Sequence, residues 1–167
     1  GILLRGIKRE VEVFRKENIP LFVEIRKKEQ KYAAITSAET IEHDGRELTL
    51  QEAENFYKSS DRNLRETIFN KVKARRSQDR KTLDELFSNL IGMRHQAGLN
   101  AGFDNFRDYK FAAMGRFDYT PEDCFDFHHS IEQEVVPLTR EIDRNRKESL
   151  EYEVLRPWDL EVDTEGK

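Results

Sequence analysis

The sequence has 167 residues, of which 37% are apolar and 37% are charged, against about 45–50% and about 25% in typical globular chains. This length suits one domain with a sizeable core, and 11 Phe and 5 Tyr argue against disorder. A net charge of −4 gives no general attraction to nucleic acid or to anionic membranes. The single cysteine cannot form an internal disulfide, and no run of about 18 apolar residues is present. We therefore expect a cytoplasmic protein of long, solvated helices.

Two helices are predicted at the start of the chain. Apolar residues recur at positions 4, 7, 11 and 14, which places one apolar stripe on a helix that ends near Asn18. Pro20 suits the first turn of a second helix, because its missing N–H is harmless there. The apolar side of this second helix consists of Leu21, Phe22, Ile25 and Tyr32.

A β-hairpin is predicted near residues 32–50. Its turn is Asp44-Gly45, which lies between residues that alternate in polarity. We expect the two strands near residues 39–42 and 46–49. Thr49 followed by Glu52 forms a capping-box pattern, so a short helix should run from about residue 50 to residue 57.

The sequence pattern in the middle of the chain predicts two long helices and a short third helix. Ser59-Ser60-Asp61 caps the first, whose inner side is Leu64, Ile68 and Val72. Residues 77–99 form the second, which ends at the glycines of 98–102. Its core side consists of Leu83, Leu86, Phe87, Leu90, Met93 and Ala97. Asp104 caps a short aromatic helix over residues 105–111.

The last predicted helix begins at Thr120, where a hydroxyl cap is followed by Pro121 and two carboxylates. One continuous seam runs along it, and Pro137 should kink it or remove one hydrogen bond. The seam consists of Cys124, His128, Ile131, Val135, Leu138 and Ile142. After Leu150 we expect an extended tail whose Trp158 needs a partner surface.

The candidate chemistry is sparse. No His-Glu-x-x-His zinc motif, di-iron Glu-x-x-His pair or glycine-rich phosphate loop is present. Cys124 and His128 are one turn apart and could bind a metal with His129 or Glu132. Both lie on the apolar seam, which favours plain packing and a buried, inert thiol.

A basic face on the helix that follows Asp61 is the sharpest local signal. Arg62, Arg65, Phe69, Lys73 and Arg76 share one side of this helix, and basic side chains around an aromatic ring could bind RNA. The acidic overall balance favours a solvated or acid-paired helix face instead.

An ordered set of sequence blocks runs from Ala97 to Asp163. The blocks are Ala-Gly-Leu-Asn-Ala-Gly-Phe103, Asn105-Phe-Arg-Asp-Tyr109, Met114-Gly-Arg-Phe-Asp-Tyr119, Glu134-Val-Val-Pro-Leu138 and Leu155-Arg-Pro-Trp-Asp-Leu160. In this order they resemble the oligoendopeptidase F branch of the thimet-type zinc metallopeptidases. The resemblance covers roughly the C-terminal 40% of the chain, or about 65 residues. The earlier helices and the hairpin resemble the family only in their general layout.

This resemblance implies a mainly α fold, with an antiparallel array of long helices, a small hairpin near residues 32–50 and an extended C-terminal tail. Residues 1–167 would be one helical lobe that walls the substrate channel, and residues 151–167 would lead to a catalytic part absent from the chain. The family's zinc ligands lie downstream of the Trp-Asp-Leu segment, so no catalytic or metal residue is assigned here. Tyr109, Arg116 and Tyr119 are the substrate-channel candidates.

The partners implied are an oligopeptide substrate and zinc in the full-length parent, and the missing catalytic lobe. No nucleic acid and no membrane is expected as a partner, and the apolar tail could support self-association. Two alternatives stay open. One is a stand-alone helical module that docks a partner protein through its tail. The other is an RNA-binding helical domain that uses the basic face Arg62–Arg76.

Overall fold

The computed structural model describes residues 1–164, with Ile2 described in its backbone only. The end of the predicted tail, residues 165–167, lies outside the described residues. The helices are α1 (Ile2–Val13), α2 (Asn18–Ser37), α3 (Leu50–Glu54), α4 (Arg62–Asn100), α5 (Phe106–Ala113), α6 (Pro121–Ser130) and α7 (Val136–Ser149). The strands are β1 (Thr40–His43) and β2 (Arg46–Thr49). The predicted fold class, mainly α with one small hairpin, is confirmed.

The hairpin has the predicted turn and nearly the predicted strands. β1 pairs antiparallel with β2, so that Thr40 faces Thr49 and His43 faces Arg46. Asp44 and Gly45 have φ of 50° and 70°, the left-handed conformations that a tight hairpin turn requires. The hairpin begins later than expected, because α2 continues to Ser37.

The described chain divides into two compact units. One contains residues 1–34 and 81–128, and the other contains residues 35–80 together with the chain from His129 onward. The core of the second unit joins the hairpin and α3 to one side of α4, and consists of Ile41, Leu48, Ala53, Ile68 and Val72. In the first unit the buried apolar residues are Ile25, Leu86, Leu90, Ala97, Ala101 and Tyr109. The single lobe predicted over residues 1–167 stays a prediction.

One long helix replaces the two predicted on either side of Ser77. The hydroxyl of Ser77 donates a hydrogen bond to the carbonyl oxygen of Lys73, 2.8 Å away in the preceding turn. Serine therefore stays inside the helix, because the backbone of the helix itself satisfies its polar group. α4 ends at Asn100, where the amides of Gly102 and Phe103 donate to the carbonyls of Leu99 and Gly98.

The predicted helix caps are confirmed in three of four cases, and Asp61 caps α4 by accepting the amides of Asn63 and Leu64. Thr49 and Glu52 form both bonds of the capping box at α3, and Thr120 forms the equivalent bonds with Asp123 at α6. At α5 the predicted cap was wrong by one residue. The side chain of Asn105, and not Asp104, accepts the amide of Asp108 at 2.9 Å.

The helix that begins at Thr120 widens before Pro137. Residues Ile131–Val135 form a π-helical turn between α6 and α7. Proline cannot donate to the carbonyl one turn earlier and its ring crowds that carbonyl, so a wider turn relieves the conflict. The structure therefore shows a local change of helix type before Pro137, and the predicted kink stays a prediction.

The seam along α6 and α7 is not a core within the described residues. Cys124 is half-buried, and the remaining members, from His128 to Ile142, are exposed. The prediction of a buried thiol was therefore wrong. The apolar stripe of α1 is exposed as well, because at least half of the surface of each of its residues is accessible to solvent. These residues are Leu4, Ile7, Val11 and Phe14. No helix within residues 1–164 is long and apolar enough to cross a membrane.

Candidate functional site

The three predicted channel residues separate into one core residue and two surface residues. Tyr109 lies on α5 and is 6% exposed. Its ring packs within 6.4 Å of the Phe22, Phe103 and Phe106 rings, measured between ring centres. Burial raises the pKa of its hydroxyl. Tyr109 therefore supports the aromatic core under α5 and does not line the groove described next.

Arg116 and Tyr119 come together at a groove in the first unit. The guanidinium carbon of Arg116 lies 4.7 Å from the centre of the Phe111 ring and 5.7 Å from the centre of the Tyr119 ring. The two rings meet edge to face, with centres 5.8 Å apart. A cation above aromatic faces is held by their quadrupoles and needs no carboxylate to fix its position.

The groove, which we call the basic groove, has a volume of about 610 Å³. It is open to solvent and lies between α1, α5 and the segment that joins α5 to α6. Its lining includes Arg5, Lys8, Arg9, Glu12, Phe103, Asp108, Phe111, Arg116, Phe117, Tyr119 and Pro121. This volume is within the usual range for small-ligand sites, about 300–1,000 Å³.

A glycine turn at the end of α5 sets the position of Arg116. Gly115 has φ of 63°, and its amide and that of Arg116 donate to the carbonyls of Ala112 and Phe111. This pair of bonds is the Schellman arrangement, in which the residue after the glycine contacts the helix one turn back. The arrangement brings Arg116 over Phe111, and the Met-Gly-Arg sequence is the signal that encodes it.

The basic side of α1 completes the groove, and sequence reasoning missed it. Arg5 lies 4.3 Å from the centre of the Phe117 ring and 3.4 Å from Asp118, and Arg9 lies 5.8 Å from the same ring and 3.2 Å from Glu12. The available signal was the set of cations opposite the apolar stripe of α1. Charge on the polar side of a helix usually indicates solvent, so it did not point to a site.

The predicted basic face on α4 is covered at its N-terminal end. Arg65 is fully buried, and its guanidinium donates to the Asp159 carboxylate at 2.9 Å and to the backbone carbonyl of Trp158 at 2.9 Å. Arg62 donates to the same carboxylate at 2.7 Å. The C-terminal segment therefore covers Arg62 and Arg65 and pairs them with an acid, whereas Lys73 and Arg76 are exposed. RNA binding by the rest of this face stays a prediction.

Four side chains form this group, which we call the tail clamp: Arg62, Arg65, Tyr152 and Asp159. The Arg62 guanidinium lies 3.9 Å from the centre of the Tyr152 ring, and Arg65 donates to the Tyr152 hydroxyl at 3.1 Å. Burial alone raises the pKa of Asp159, but hydrogen bonds from both arginines and from the Arg156 amide outweigh it. The pKa of Asp159 therefore lies below its usual value.

Trp158, which was expected to need a partner surface, packs against α4. Its ring lies 5.2 Å from the Phe69 ring, between centres, and it is half-buried. Its indole Nε1 is buried and lacks a hydrogen-bond partner within residues 1–164. The prediction of an extended tail was therefore wrong, because the segment has turns and a short 3₁₀ helix at Pro157–Asp159 and folds onto α4.

The described residues do not fit a zinc site. No three His, Cys, Asp or Glu side chains within residues 1–164 lie close enough together to hold a metal. The alternative of a metal bound by Cys124, His128 and their neighbours has no such cluster to support it. Zinc, if the whole protein uses it, would need ligands that this part of the chain does not supply.

Three solved structures share this fold. A protein described as an oligoendopeptidase F matches 96% of this chain at a TM-score of 0.92 and 22% identity, and an oligoendopeptidase F from Bacillus anthracis strain Ames matches 96% at 0.90 and 20%. PZ peptidase A with an inhibitor matches 95% at a TM-score of 0.90 and 23% identity. The chain spans 28%, 30% and 28% of the length of these three proteins.

No curated protein sequence matches the chain. The model of one protein family does, over residues 55–165, which includes α4, α5, α6, α7 and the clamped tail. This match contains the glycine turn that places Arg116, the aromatic residues under α5 and the acidic residue of the tail clamp. On the strength of this match, the chain belongs to Peptidase family M3.

Proposed function

We propose that this chain is the helical, non-catalytic part of a zinc peptidase that hydrolyses oligopeptides, and that it forms a wall of the substrate channel. The observation that carries the proposal is the fold match over 95–96% of this chain to proteins more than three times as long, two of them described as oligoendopeptidase F. The family match over residues 55–165 supports the same class of activity.

The role of this part is to bind the peptide and to line the channel. The basic groove offers aromatic rings and cations to a peptide, and Arg116 and Tyr119 are the groups that would contact it. Zinc bound elsewhere in the whole protein would polarise the water that attacks the peptide bond. The cytoplasmic location predicted from the sequence stays a prediction.

The complete open reading frame of the gene provides the test. We expect the purified full-length protein to contain about one zinc per chain and to cleave internally quenched oligopeptides, with loss of cleavage after chelation. Residues 1–167 alone should show neither property. Zinc-dependent cleavage by residues 1–167 alone would contradict the proposal, and so would a full-length protein that cleaves no peptide of a diverse panel.

The channel role has its own measurement in the full-length protein. Tyr119→Ala should raise KM for an oligopeptide while kcat changes little, because a wall residue contributes binding that is equal in the ground state and transition state. Lys31→Ala is the matched control, since Lys31 is exposed on α2 and does not line the groove. Equal KM values for both variants would place the channel elsewhere. A stand-alone interaction module predicts no cleavage by either form.

A further inference from the structure

The basic groove contains more positive charge than its own acidic residues neutralise. Four cations line it, Arg5, Lys8, Arg9 and Arg116, against two carboxylates, Glu12 and Asp108. The chain as a whole has a net charge of −4, so this surplus is local and opposes the general balance. A cleft whose lining has an excess of one sign of charge raises the local concentration of ligands of the opposite sign.

The carboxylates nearby are already engaged with other cations. Glu12 pairs with Arg9 at 3.2 Å, Asp118 pairs with Arg5 at 3.4 Å, and Asp108 accepts a bond from Arg107 at 2.8 Å. Within residues 1–164 neither Arg116 nor Lys8 forms an ion pair. Two cations of the groove are therefore available to a ligand.

Arg116 is the better placed of these two. Its guanidinium is fixed above the Phe111 and Tyr119 rings and is half-buried, so it loses little conformational freedom when a ligand binds. The edges of the guanidinium plane carry its N–H donors, which match the two oxygens of a carboxylate. The rings around it suit an apolar side chain next to that carboxylate.

We infer that the basic groove is a subsite for a carboxylate of an oligopeptide, with Arg116 as its principal donor and Lys8 as a second cation. This inference rests on the proposed function, because it assumes that the ligand is a peptide. A peptide carboxylate comes from an acidic side chain or from the C-terminus, and both present the same pair of oxygens to the guanidinium.

Four hexapeptides carrying a neutral fluorophore test the inference by anisotropy on residues 1–167. They have either Glu or Gln at one central position, and either a free or an amidated C-terminus. We expect peptides with a carboxylate to bind about fivefold tighter than the neutral peptide, or about 1 kcal/mol for a half-exposed charged bond. If Glu strengthens binding relative to Gln, the carboxylate comes from a side chain. If the free C-terminus strengthens binding relative to the amide, the carboxylate comes from the terminus.

Arg116→Gln should reduce this ratio to about one, while Arg76→Gln should leave it unchanged. Arg76 is an exposed arginine on α4 outside the groove, and its replacement removes the same charge. High salt should shrink the difference in the wild-type chain, because the groove is open. If the circular dichroism of Arg116→Gln shows that this variant has lost its helices, Lys8→Gln tests the inference in its place. Lys8→Gln should reduce the ratio of affinities at least twofold, which corresponds to about 0.4 kcal/mol.

Equal affinities for charged and neutral peptides would overturn the inference, and so would a ratio that Arg116→Gln and Lys8→Gln both leave intact. An oligonucleotide that binds tighter than every peptide, and does so through Arg116, would also overturn it in favour of a phosphate site. The peptidase assay separates the two claims. A carboxylate preference without cleavage by the full-length protein refutes the peptidase alone, whereas cleavage without the preference refutes the subsite alone.

Discussion

Asp159→Asn should destabilise the second unit strongly, because it leaves a buried cation without its anion. Arg65 and Asp159 are both 0% exposed, and the guanidinium of Arg65 donates to that carboxylate at 2.9 Å. Breaking a buried pair by removing one partner costs about 3–5 kcal/mol. Asparagine keeps the shape and one acceptor, so we expect the lower end, about 3 kcal/mol of unfolding free energy.

The size of the expected effect makes it easy to measure. A loss of about 3 kcal/mol lowers the melting temperature of a chain of this length by about 6–12 °C. Urea unfolding followed by circular dichroism gives the free energy directly. The protein has one tryptophan, and its backbone carbonyl accepts a bond from Arg65, so the emission of Trp158 reports on the tail clamp itself. Both probes should shift in the variant.

A matched control and a double variant separate loss of the charge pair from a general effect of substitution. Glu153→Gln removes a carboxylate from an exposed position of the same segment and should leave the transition unchanged. The double variant Arg65→Gln with Asp159→Asn should lose less free energy than the two single variants together, because both substitutions break the same charge pair. A loss below about 1 kcal/mol in Asp159→Asn, with unchanged Trp158 emission, would refute the reasoning.

Two further predictions concern pH and packing. The pKa of Asp159 is lowered in the folded protein, so its contribution to stability is present above the unfolded value of about 3.9 and is lost as pH falls through the folded value. The difference in unfolding free energy between wild type and Asp159→Asn, measured by urea titration, should therefore shrink as pH falls below that unfolded value. Gly98→Ala should destabilise by about 1–3 kcal/mol in the same assay, since a Cβ there would lie 3.0 Å from the backbone oxygen of Asn105. Gly92→Ala, on the same helix with open space around it, should be neutral or stabilising, and equal losses at both positions would contradict the packing argument.

Local signals of the sequence predicted local structure well. The capping boxes at Thr49 and Thr120 are both formed, and the Asp44-Gly45 turn joins the two predicted strands. These features depend on contacts between residues three or four apart, so the residues that determine them are adjacent in the sequence. Ser77 shows the limit, since a serine can close a helix or lie inside one, and its neighbours in the helix decide which.

The candidate site could be predicted only in part, because the residues that form it are far apart in sequence. Arg116 and Tyr119 were identified from one sequence block, but most of the cations of the groove come from α1. Arg5 of α1 pairs with Asp118, which lies 113 residues later in the sequence. Tyr109, from the preceding block, faces the core instead. Whether a polar residue on a helix faces solvent, a groove or a core depends on which element packs against it.

The sequence by itself determined the mainly α class, the hairpin, several helix caps and, through its ordered C-terminal blocks, the family. The first helix was predicted to end near Asn18, but it ends at Val13. Tertiary structure alone decided where the charges went. On the sequence, Arg62 and Arg65 belong to an ordinary basic helix face; in the fold they lie under the C-terminal segment and pair with Asp159, 94 residues away from Arg65. The physical reason is that periodicity shows which residues share a side of a helix, whereas burial and pairing depend on what covers that side.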